Sequence, residues 1–175
     1  MITIRQERAA DIAARETLLD NAFGTTREAK TSERLREGRL AAEGLSFVAV
    51  ENGRIIGTIR LWDISAGPGR PALLLGPLAV EETARKRGIG ASLMTRALRE
   101  ARKLGHRAVL LVGDAPYYER FGFKAAATGG LWLPGPYERE RFLALALVPG
   151  ALAGAAGTVE PTGDVVPHVA MPLAA

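Results

Sequence analysis

Residues 78–94 read LAVEETARKRGIGASLM and place a glycine-rich turn between an apolar strand and an amphipathic helix. The first amides of a helix lack partners within the helix, and the helix dipole adds about half a positive charge there. Gly88 and Gly90 have no side chains, so an oxygen-rich anion can approach the backbone closely. Arg85, Lys86 and Arg87 add positive charge just before the turn. Together these features predict a binding site for a pyrophosphate group.

Two other phosphate-binding motifs fit this turn less well. A dinucleotide site of the G-x-G-x-x-G type needs a third glycine, whereas Gly90 is followed by Ala91 and Ser92. A P-loop nucleotide site needs the sequence G-K-[ST], which does not follow the turn. The remaining alternative is a basic surface turn before an ordinary helix.

Apolar periodicity outlines the elements that follow the turn. It predicts a helix over about 88–103 and a buried strand in the run AVLLVGD at 108–114. Residues 72–114 therefore form a strand–helix–strand unit, which predicts a parallel strand pair with a right-handed crossover. Pro116 then starts a short helix over PYYERF that Gly122 ends.

The elements before the turn are also predicted from spacing. A short strand begins near Ile2, a helix covers about 9–23, and a second, more polar helix covers about 27–43 with Gly44 as its stop. Asn52-Gly53 stands between two apolar runs, which is typical of a two-residue hairpin turn. After the short helix, LWLPGPYERERFLALAL supplies a turn and another strand.

Length and composition predict one globular domain. The chain has 175 residues, of which 47% are hydrophobic and 24% charged, as is ordinary for a globular protein. No apolar run reaches the roughly 18 residues of a membrane span, and the first residues lack the apolar core of a signal peptide. We therefore expect a cytoplasmic protein with no membrane partner. Residues 1–148 form the expected domain, and 149–175 form a C-terminal extension of it that crosses the surface or adds an edge strand.

The residue inventory limits the chemistry. The chain has no cysteine and only two histidines, His106 and His168, so disulfides, a thiolate nucleophile and a cysteine-based zinc site are excluded. Two distant histidines also argue against a catalytic metal, so no metal is expected and neither histidine is assigned a role. The chemistry must use hydroxyls, carboxylates, cations and backbone amides.

Positive charge is concentrated in one segment. Residues 83–107 hold eight basic residues and one acid, a local charge of +7 in a chain whose net charge is +4. Such a block predicts a local anionic partner: nucleic acid, anionic lipid or a phosphorylated cofactor. A nucleic-acid module would need aromatic residues among the cations or a recognition helix, and 85–107 contains no aromatic residue. We therefore expect no nucleic-acid partner.

Two motifs together resemble one known family. The pattern L-A-V-x-x-x-x-R-K-R-G-I-G at 78–90, followed by an amphipathic helix, resembles the GNAT superfamily of N-acetyltransferases. The run V-L-L-V-G-D-A-P-Y-Y-E-R-F-G-F at 109–123 resembles the strand and short helix that end in that family's Y-x-x-F-G-F signature. The G-D-x-x-Y-Y motif and the segment at 131–137 resemble a bacterial branch of acetyltransferases. This resemblance extends over most of the chain. The resemblance implies an α/β (α+β) fold with a mixed, mostly antiparallel sheet, a central splayed pair of parallel strands and flanking helices.

The resemblance implies acetyl-CoA as the cofactor, lying in a gap between the splayed strands 73–80 and 108–112. The backbone of Leu78, Ala79 and Val80 would pair with the pantetheine arm, and Gly76-Pro77 just before them fits a bulge. The pyrophosphate would be held by Arg85, Lys86, Arg87, Gly88, Ile89, Gly90, Ala91 and Ser92. Asp114 at the end of the second strand faces the gap as a further contact. The alternative role for Asp114 is the N-cap of the short helix.

The resemblance also assigns the chemistry. A primary amine attacks the thioester directly in a ternary complex, and Tyr118 is the general acid that protonates the leaving thiolate. The oxyanion would be stabilised by a backbone amide near Val80. Tyr117 is the less favoured acid, and simple aromatic packing is the alternative for both tyrosines. Many relatives remove the amine proton through water, so no dedicated base is required.

The acceptor and the oligomeric state stay open. The acceptor pocket is expected between the two N-terminal helices, the loop 66–71 and the segment 132–137, and it would take a small-molecule or peptide amine. Its residues carry both signs of charge and do not select a substrate. A homodimer is compatible with the sequence. The alternative functions are a non-catalytic acyl-CoA sensor and, less favoured, a nucleic-acid-binding module.

Overall fold

The computed structural model describes residues 1–167, and these contain eight strands in one mixed sheet with three α-helices packed against it. The last part of the C-terminal extension, including His168, lies outside the described residues. Six strands follow the order β1-β2-β3-β4-β5-β7, while β8 pairs with β3 and β6 pairs with β8. The strands are β1 (Ile2–Gln6), β2 (Ser46–Glu51), β3 (Arg54–Ala66), β4 (Pro71–Val80), β5 (Ala108–Val112), β6 (Leu131–Trp132), β7 (Phe142–Ala146) and β8 (Gly157–Pro161).

The hairpin between β2 and β3 turns at Asn52-Gly53, as predicted. Both residues adopt the left-handed conformation, with φ of 51° and 75°. This geometry matches the twist of the flanking strands, and asparagine and glycine adopt it at low energetic cost. The hairpin starts a run of antiparallel pairs, β1 with β2, β2 with β3 and β3 with β4, that makes up most of the sheet.

β4 and β5 form the predicted parallel pair, and they separate soon after they meet. Only Leu73 with Val109 and Leu74 with Leu110 are in register. On its other side β4 carries the predicted bulge, because Ile59 and Leu61 of β3 pair with Leu78 and Leu75 and leave Gly76 and Pro77 between them. The Gly76-Pro77 peptide is cis. Beyond the bulge, β4 has an edge that β5 does not cover.

The helices lie on opposite faces of the sheet. They are α1 (Ile12–Phe23), α2 (Ile89–Lys103) and α3 (Ala115–Glu119). α2 buries the predicted apolar stripe, including Leu93, Met94 and Ala97, in the main core with Phe47 of β2. α1 packs with Leu18 and Leu19 near Ala79 of β4. No helix within residues 1–167 has both the length and the apolar composition needed to cross a bilayer.

The prediction of a second N-terminal helix over about 27–43 is wrong. The structure has two 3-10 turns there, Arg27–Ala29 and Thr31–Leu35, separated by an extended Lys30 with ψ of 146°. Leu35 is the only residue of these turns that is buried. A helix is stabilised mainly by packing a continuous apolar stripe. The two turns bury Leu35 alone and therefore present no such stripe. Gly38, with φ of 69°, turns the chain again.

A second core lies on the α1 face of the sheet, toward its other end. It packs Trp62, Leu74, Leu110, Phe142 and Val159 together with neighbouring apolar residues. β8 contributes to it and pairs with β3 from Ile64 with Pro161 to Ala66 with Val159.

Candidate active site

The glycine-rich turn presents unpaired amides at the start of α2. Gly88 is the residue before the helix and has a left-handed conformation with φ of 76°. Its carbonyl accepts the first helical hydrogen bond, from the Ser92 amide at 3.0 Å. A Cβ on Gly88 would meet no atom within 4 Å, so the space beside the turn is open. Free amides, an open approach and the positive helix end are the features that bind phosphate groups.

The three cations before the turn differ in their hydrogen-bond and ion-pair partners. Arg85 is exposed, and its Nε lies 3.5 Å from the carbonyl oxygen of Val80. Lys86 is also exposed and has a φ of 65°. Arg87 instead forms a two-pronged ion pair with Glu51 of the hairpin, at 2.9 and 2.7 Å. This partner lowers the pKa of the Glu51 carboxyl and leaves Arg87 less available to a ligand than Arg85.

A cavity of about 1190 Å³ lies where β4 and β5 separate. Leu75, Gly76, Pro77 and Leu78 of β4 line one side, and Val112 and the residues just after β5 line the other. The remaining walls come from Phe23, Arg27, Ala29, Lys30, Thr31, Ser32, Glu33, Arg36, Arg85, Gly113, Asp114, Tyr117, Tyr118, Leu133, Pro136, Tyr137, Glu138 and Arg141. The structure thus brings the edge of β4, Arg85 and the tyrosine pair to one cavity, while residues 86–92 of the turn lie outside its lining.

Tyr118 lies in this cavity with its ring held from several sides. The ring stands edge-on to Phe123, with centroids 6.1 Å apart, and to Tyr117, at 4.9 Å. Burial raises the pKa of Tyr118 to about 12, the neighbouring Tyr117 and Asp114 add to the rise, and Arg141 opposes it. The phenol therefore keeps its proton at neutral pH, as a general acid must.

Tyr117 lies against the first turn of α2. A Cβ on Gly90 would be 2.7 Å from the Tyr117 hydroxyl oxygen, so the glycine provides the space that this hydroxyl occupies. The sequence identified Gly90 as a close-approach position for an anion but did not link it to Tyr117. Neighbouring residues on a helix point in different directions, so the Tyr-Tyr doublet alone could not reveal that one of them reaches the turn.

Asp114 is the residue that begins α3, but its side chain does not cap the helix. Its carbonyl oxygen accepts the amides of Tyr117 and Tyr118, each at 3.1 Å. The carboxylate makes no capping bond and is exposed at the cavity. Asp114 therefore occupies the N-cap position that was its alternative role, but without a side-chain capping bond, and its carboxylate faces the cavity.

Some of the segments expected to form an acceptor pocket line this cavity, and others do not. Phe23 at the end of α1 and parts of the segments 27–36 and 133–138 line the cavity, as expected. The loop 66–71 does not, because Ala66 pairs with Val159 of β8 away from the cavity. Arg36 is a buried lining residue that the sequence analysis did not single out. Its position in a predicted polar helix gave no signal of burial.

Glu81 and Glu82 follow β4, and neither faces this cavity. Glu81 is paired with Arg54. Within the described part of the chain, no group of three or more histidine, aspartate or glutamate residues is placed to hold a metal ion.

The fold and the cavity agree with what comparison with known proteins finds. Residues 12–123 match the model of the acetyltransferase (GNAT) family. The Escherichia coli K12 protein YhbS, named as an uncharacterised N-acetyltransferase, is 33% identical over 158 residues, which cover 90% of this chain and 94% of YhbS. The chain belongs to the GNAT family, and the resemblance inferred from the two motifs is confirmed.

Comparison with solved structures identifies the same family. The crystal structure of E. coli YhbS in complex with CoA has a TM-score of 0.78 and 32% identity, covering 92% of this chain and 89% of that one. A GNAT acetyltransferase from Brucella melitensis, solved with acetyl-CoA, has a TM-score of 0.65 and 30% identity, with 96% of each chain covered. The predicted mixed fold is confirmed, and the protein is an N-acyltransferase of the acyl-CoA-dependent class.

Proposed function

We propose that this protein transfers the acetyl group of acetyl-CoA to a primary amine by direct attack in a ternary complex. The observation that carries the proposal is one cavity bounded by the open edge of β4, Arg85 of the basic turn and the protonated Tyr118. The CoA and acetyl-CoA in the crystal structures of the two relatives support the choice of acyl donor. As the sequence led us to expect, we place the reaction in the cytoplasm without a nucleic-acid or membrane partner.

The cofactor-binding residues follow from two features of the backbone. Leu78, Ala79 and Val80 lie beyond the last β4–β5 pair, so their groups on that side are free to bond the pantetheine arm. The amides of residues 86–91 surround the open turn and would hold the pyrophosphate, with Arg85 and Lys86 supplying charge. The amides of Arg85 and Ser92 already bond the carbonyls of Glu82 and Gly88. Asp114 lies across the gap from these groups, where it would orient a water molecule or the amine.

The reaction forms a carbon–nitrogen bond and breaks a carbon–sulfur bond. The amine nitrogen attacks the thioester carbonyl carbon, and the carbon–sulfur bond breaks as the tetrahedral intermediate collapses. A backbone amide near Val80 stabilises the oxyanion. The amine loses one proton through water, and Tyr118 gives one proton to the departing thiolate, so the proton balance closes. General acid help of this kind is typically worth about 10²–10⁴-fold in rate.

The test is release of free thiol from acetyl-CoA across a panel of primary amines. We expect release that depends on the amine and is accompanied by formation of the N-acetyl product. CoA binding without thiol release on every amine would instead favour a non-catalytic acyl-CoA sensor. Steeply salt-dependent binding of mixed oligonucleotides, without CoA binding, would favour a nucleic-acid module.

A further inference from the structure

Arg36 is a buried cation with unused hydrogen-bonding capacity on the acceptor side of the cavity. It follows the turn Thr31–Leu35 and is 9% exposed. Its Nη2 lies 3.0 Å from a carboxylate oxygen of Glu33 and 3.4 Å from the hydroxyl of Ser32. Its Nε is buried and finds no acceptor within residues 1–167, and no acceptor there bonds Nη1 either. A guanidinium has five N–H donors, and the three on Nε and Nη1 have no protein acceptor within residues 1–167.

The charges around Arg36 do not compensate it fully. Burial lowers the pKa of the Arg36 guanidinium, the Glu33 carboxylate opposes that shift, and the Arg27 cation adds to it. Arg60 on β3 is a further cation that interacts with Arg36, and Arg27 already pairs with acids of α1. Glu33 is thus the only carboxylate that faces Arg36 among the described residues. A buried charge with one partner is unfavourable unless a second anion completes its bonds.

The free end of Arg36 lies at the bulge of β4. Its Nη1 is 3.2 Å from the place that a Cβ on Gly76 would take, so the bare glycine leaves room for the guanidinium at this point. The Gly76 carbonyl already accepts the indole N–H of Trp62 at 2.6 Å and does not bond Arg36. Arg36, Gly76 and Tyr118 line the same cavity. An acceptor bound beside the thioester would therefore meet this guanidinium.

We propose that Arg36 binds a carboxylate of the acceptor, so that the acceptor is a small amino-acid-like molecule with a primary amine and a carboxylate. The inference rests on the proposed acetyl transfer. The planar guanidinium fork matches a carboxylate with two parallel hydrogen bonds. The cavity lining holds more cations than carboxylates: Arg27, Lys30, Arg36, Arg85 and Arg141 against Glu33, Asp114 and Glu138. A polyamine or aminoglycoside, which brings only positive charge, fits this balance less well than an acceptor that also carries a carboxylate.

Matched acceptors test this inference directly. Each of several amino acids is compared with its carboxamide and with its decarboxylated amine, for example phenylalanine, phenylalaninamide and phenethylamine. Hydrogen bonds to a charged group predict that kcat/KM is roughly ten- to a hundredfold higher for the best acid than for its amide. In Arg36→Gln this acid-to-amide ratio should fall toward one.

Three further variants separate binding from folding. Arg39→Gln is the matched control, because Arg39 bonds the Gly163 carbonyl at 2.8 Å and does not line the cavity; it should keep the ratio. Glu33→Gln removes the carboxylate that competes for Arg36 and should lower KM for acids a few-fold. If the Arg36–Glu33 ion pair were merely structural, replacing either residue would reduce activity. If Arg36→Gln does not fold, Arg36→Lys keeps the charge without the fork and should lose most of the preference.

The outcomes are distinct. The carboxylate site is overturned if the unaltered protein turns over acids and amides equally, or if the acid-to-amide ratio is unchanged in Arg36→Gln. Neither result would contradict the proposed acetyl transfer. Absence of thiol release with every amine overturns both.

Discussion

Gly113 lies against the Cε2 edge of the Tyr118 ring, because a Cβ on Gly113 would be 2.4 Å from Cε2 and 3.1 Å from Cδ2. The end of β5 is therefore bare at the point where the tyrosine packs into the gap between the strands. The ring also stands edge-on to Phe123, with centroids 6.1 Å apart. The position of the Tyr118 hydroxyl is set by this packing, since no side-chain hydrogen bond within residues 1–167 fixes it.

Gly113→Ala should displace Tyr118 and lower kcat roughly ten- to a hundredfold, because a shift of about 1 Å in a positioned group has effects of that size. Steady-state thiol release measures it. The matched control is Gly129→Ala, where the new Cβ would meet its nearest atom at an ordinary 3.5 Å. Equal kcat in the two variants would show that the packing does not set the catalytic position.

Tyr118→Phe should lower kcat at least roughly tenfold and leave the CoA dissociation constant nearly unchanged, because it removes the proton donor and keeps the ring. Tyr117→Phe separates the two tyrosines: it should retain kcat, since its hydroxyl lies at the first turn of α2. Full activity of Tyr118→Phe would remove Tyr118 from the mechanism.

The pKa of Tyr118 makes a prediction about alkaline pH. Burial raises this pKa from its ordinary 10.0 to about 12, so the fold favours the protonated form. The resulting stabilisation is fully present below pH 10 and is lost as the pH rises through about 12. We expect Tyr118 to cause no loss of kcat below pH 10. A phenolate absorbance titration should show a transition near 12 that is absent from Tyr118→Phe. The assignment would be contradicted if the transition that Tyr118→Phe removes lay at or below pH 10.

Gly88→Asp should abolish tight CoA binding, because a carboxylate would enter the space expected for the pyrophosphate. Gly88→Asn is the control: it has the same shape and the same unfavourable left-handed conformation without the charge. Calorimetry with CoA should show at least roughly tenfold weaker binding for the aspartate variant than for the asparagine variant. Similar affinities would indicate that no anion binds at this turn.

The basic turn predicts unequal roles for its two arginines. Arg85→Gln should weaken CoA binding by about two- to fivefold, the size of an exposed charge contact at a helix N-terminus. Arg87→Gln should have a smaller effect, since Arg87 is paired with Glu51. Dissociation constants at low and moderate salt would check the order, and a larger effect of Arg87→Gln would reverse the assignment.

The sequence was sufficient wherever a feature depends on local spacing. The Asn52-Gly53 turn, the amphipathic α2 and the strand–helix–strand unit were all predicted, because periodicity and turn chemistry act within a few residues. The segment 27–43 was predicted wrongly because its structure depends on how Leu35 is anchored in the second core, and such a contact leaves no mark on local spacing.

By itself, the sequence determined the family, the fold class and the turn at which a phosphate group is expected to bind, since two motifs carry all three. Only the tertiary structure decided what surrounds them: the ring of Tyr118 on Gly113, Tyr117 at Gly90, Arg87 held by Glu51, and Arg36 buried beside Gly76. The contacts of Tyr117, Arg87 and Arg36 join residues far apart in the chain and form only when the sheet brings them together. The Tyr118–Gly113 contact is short in sequence and depends on how α3 is placed after the end of β5.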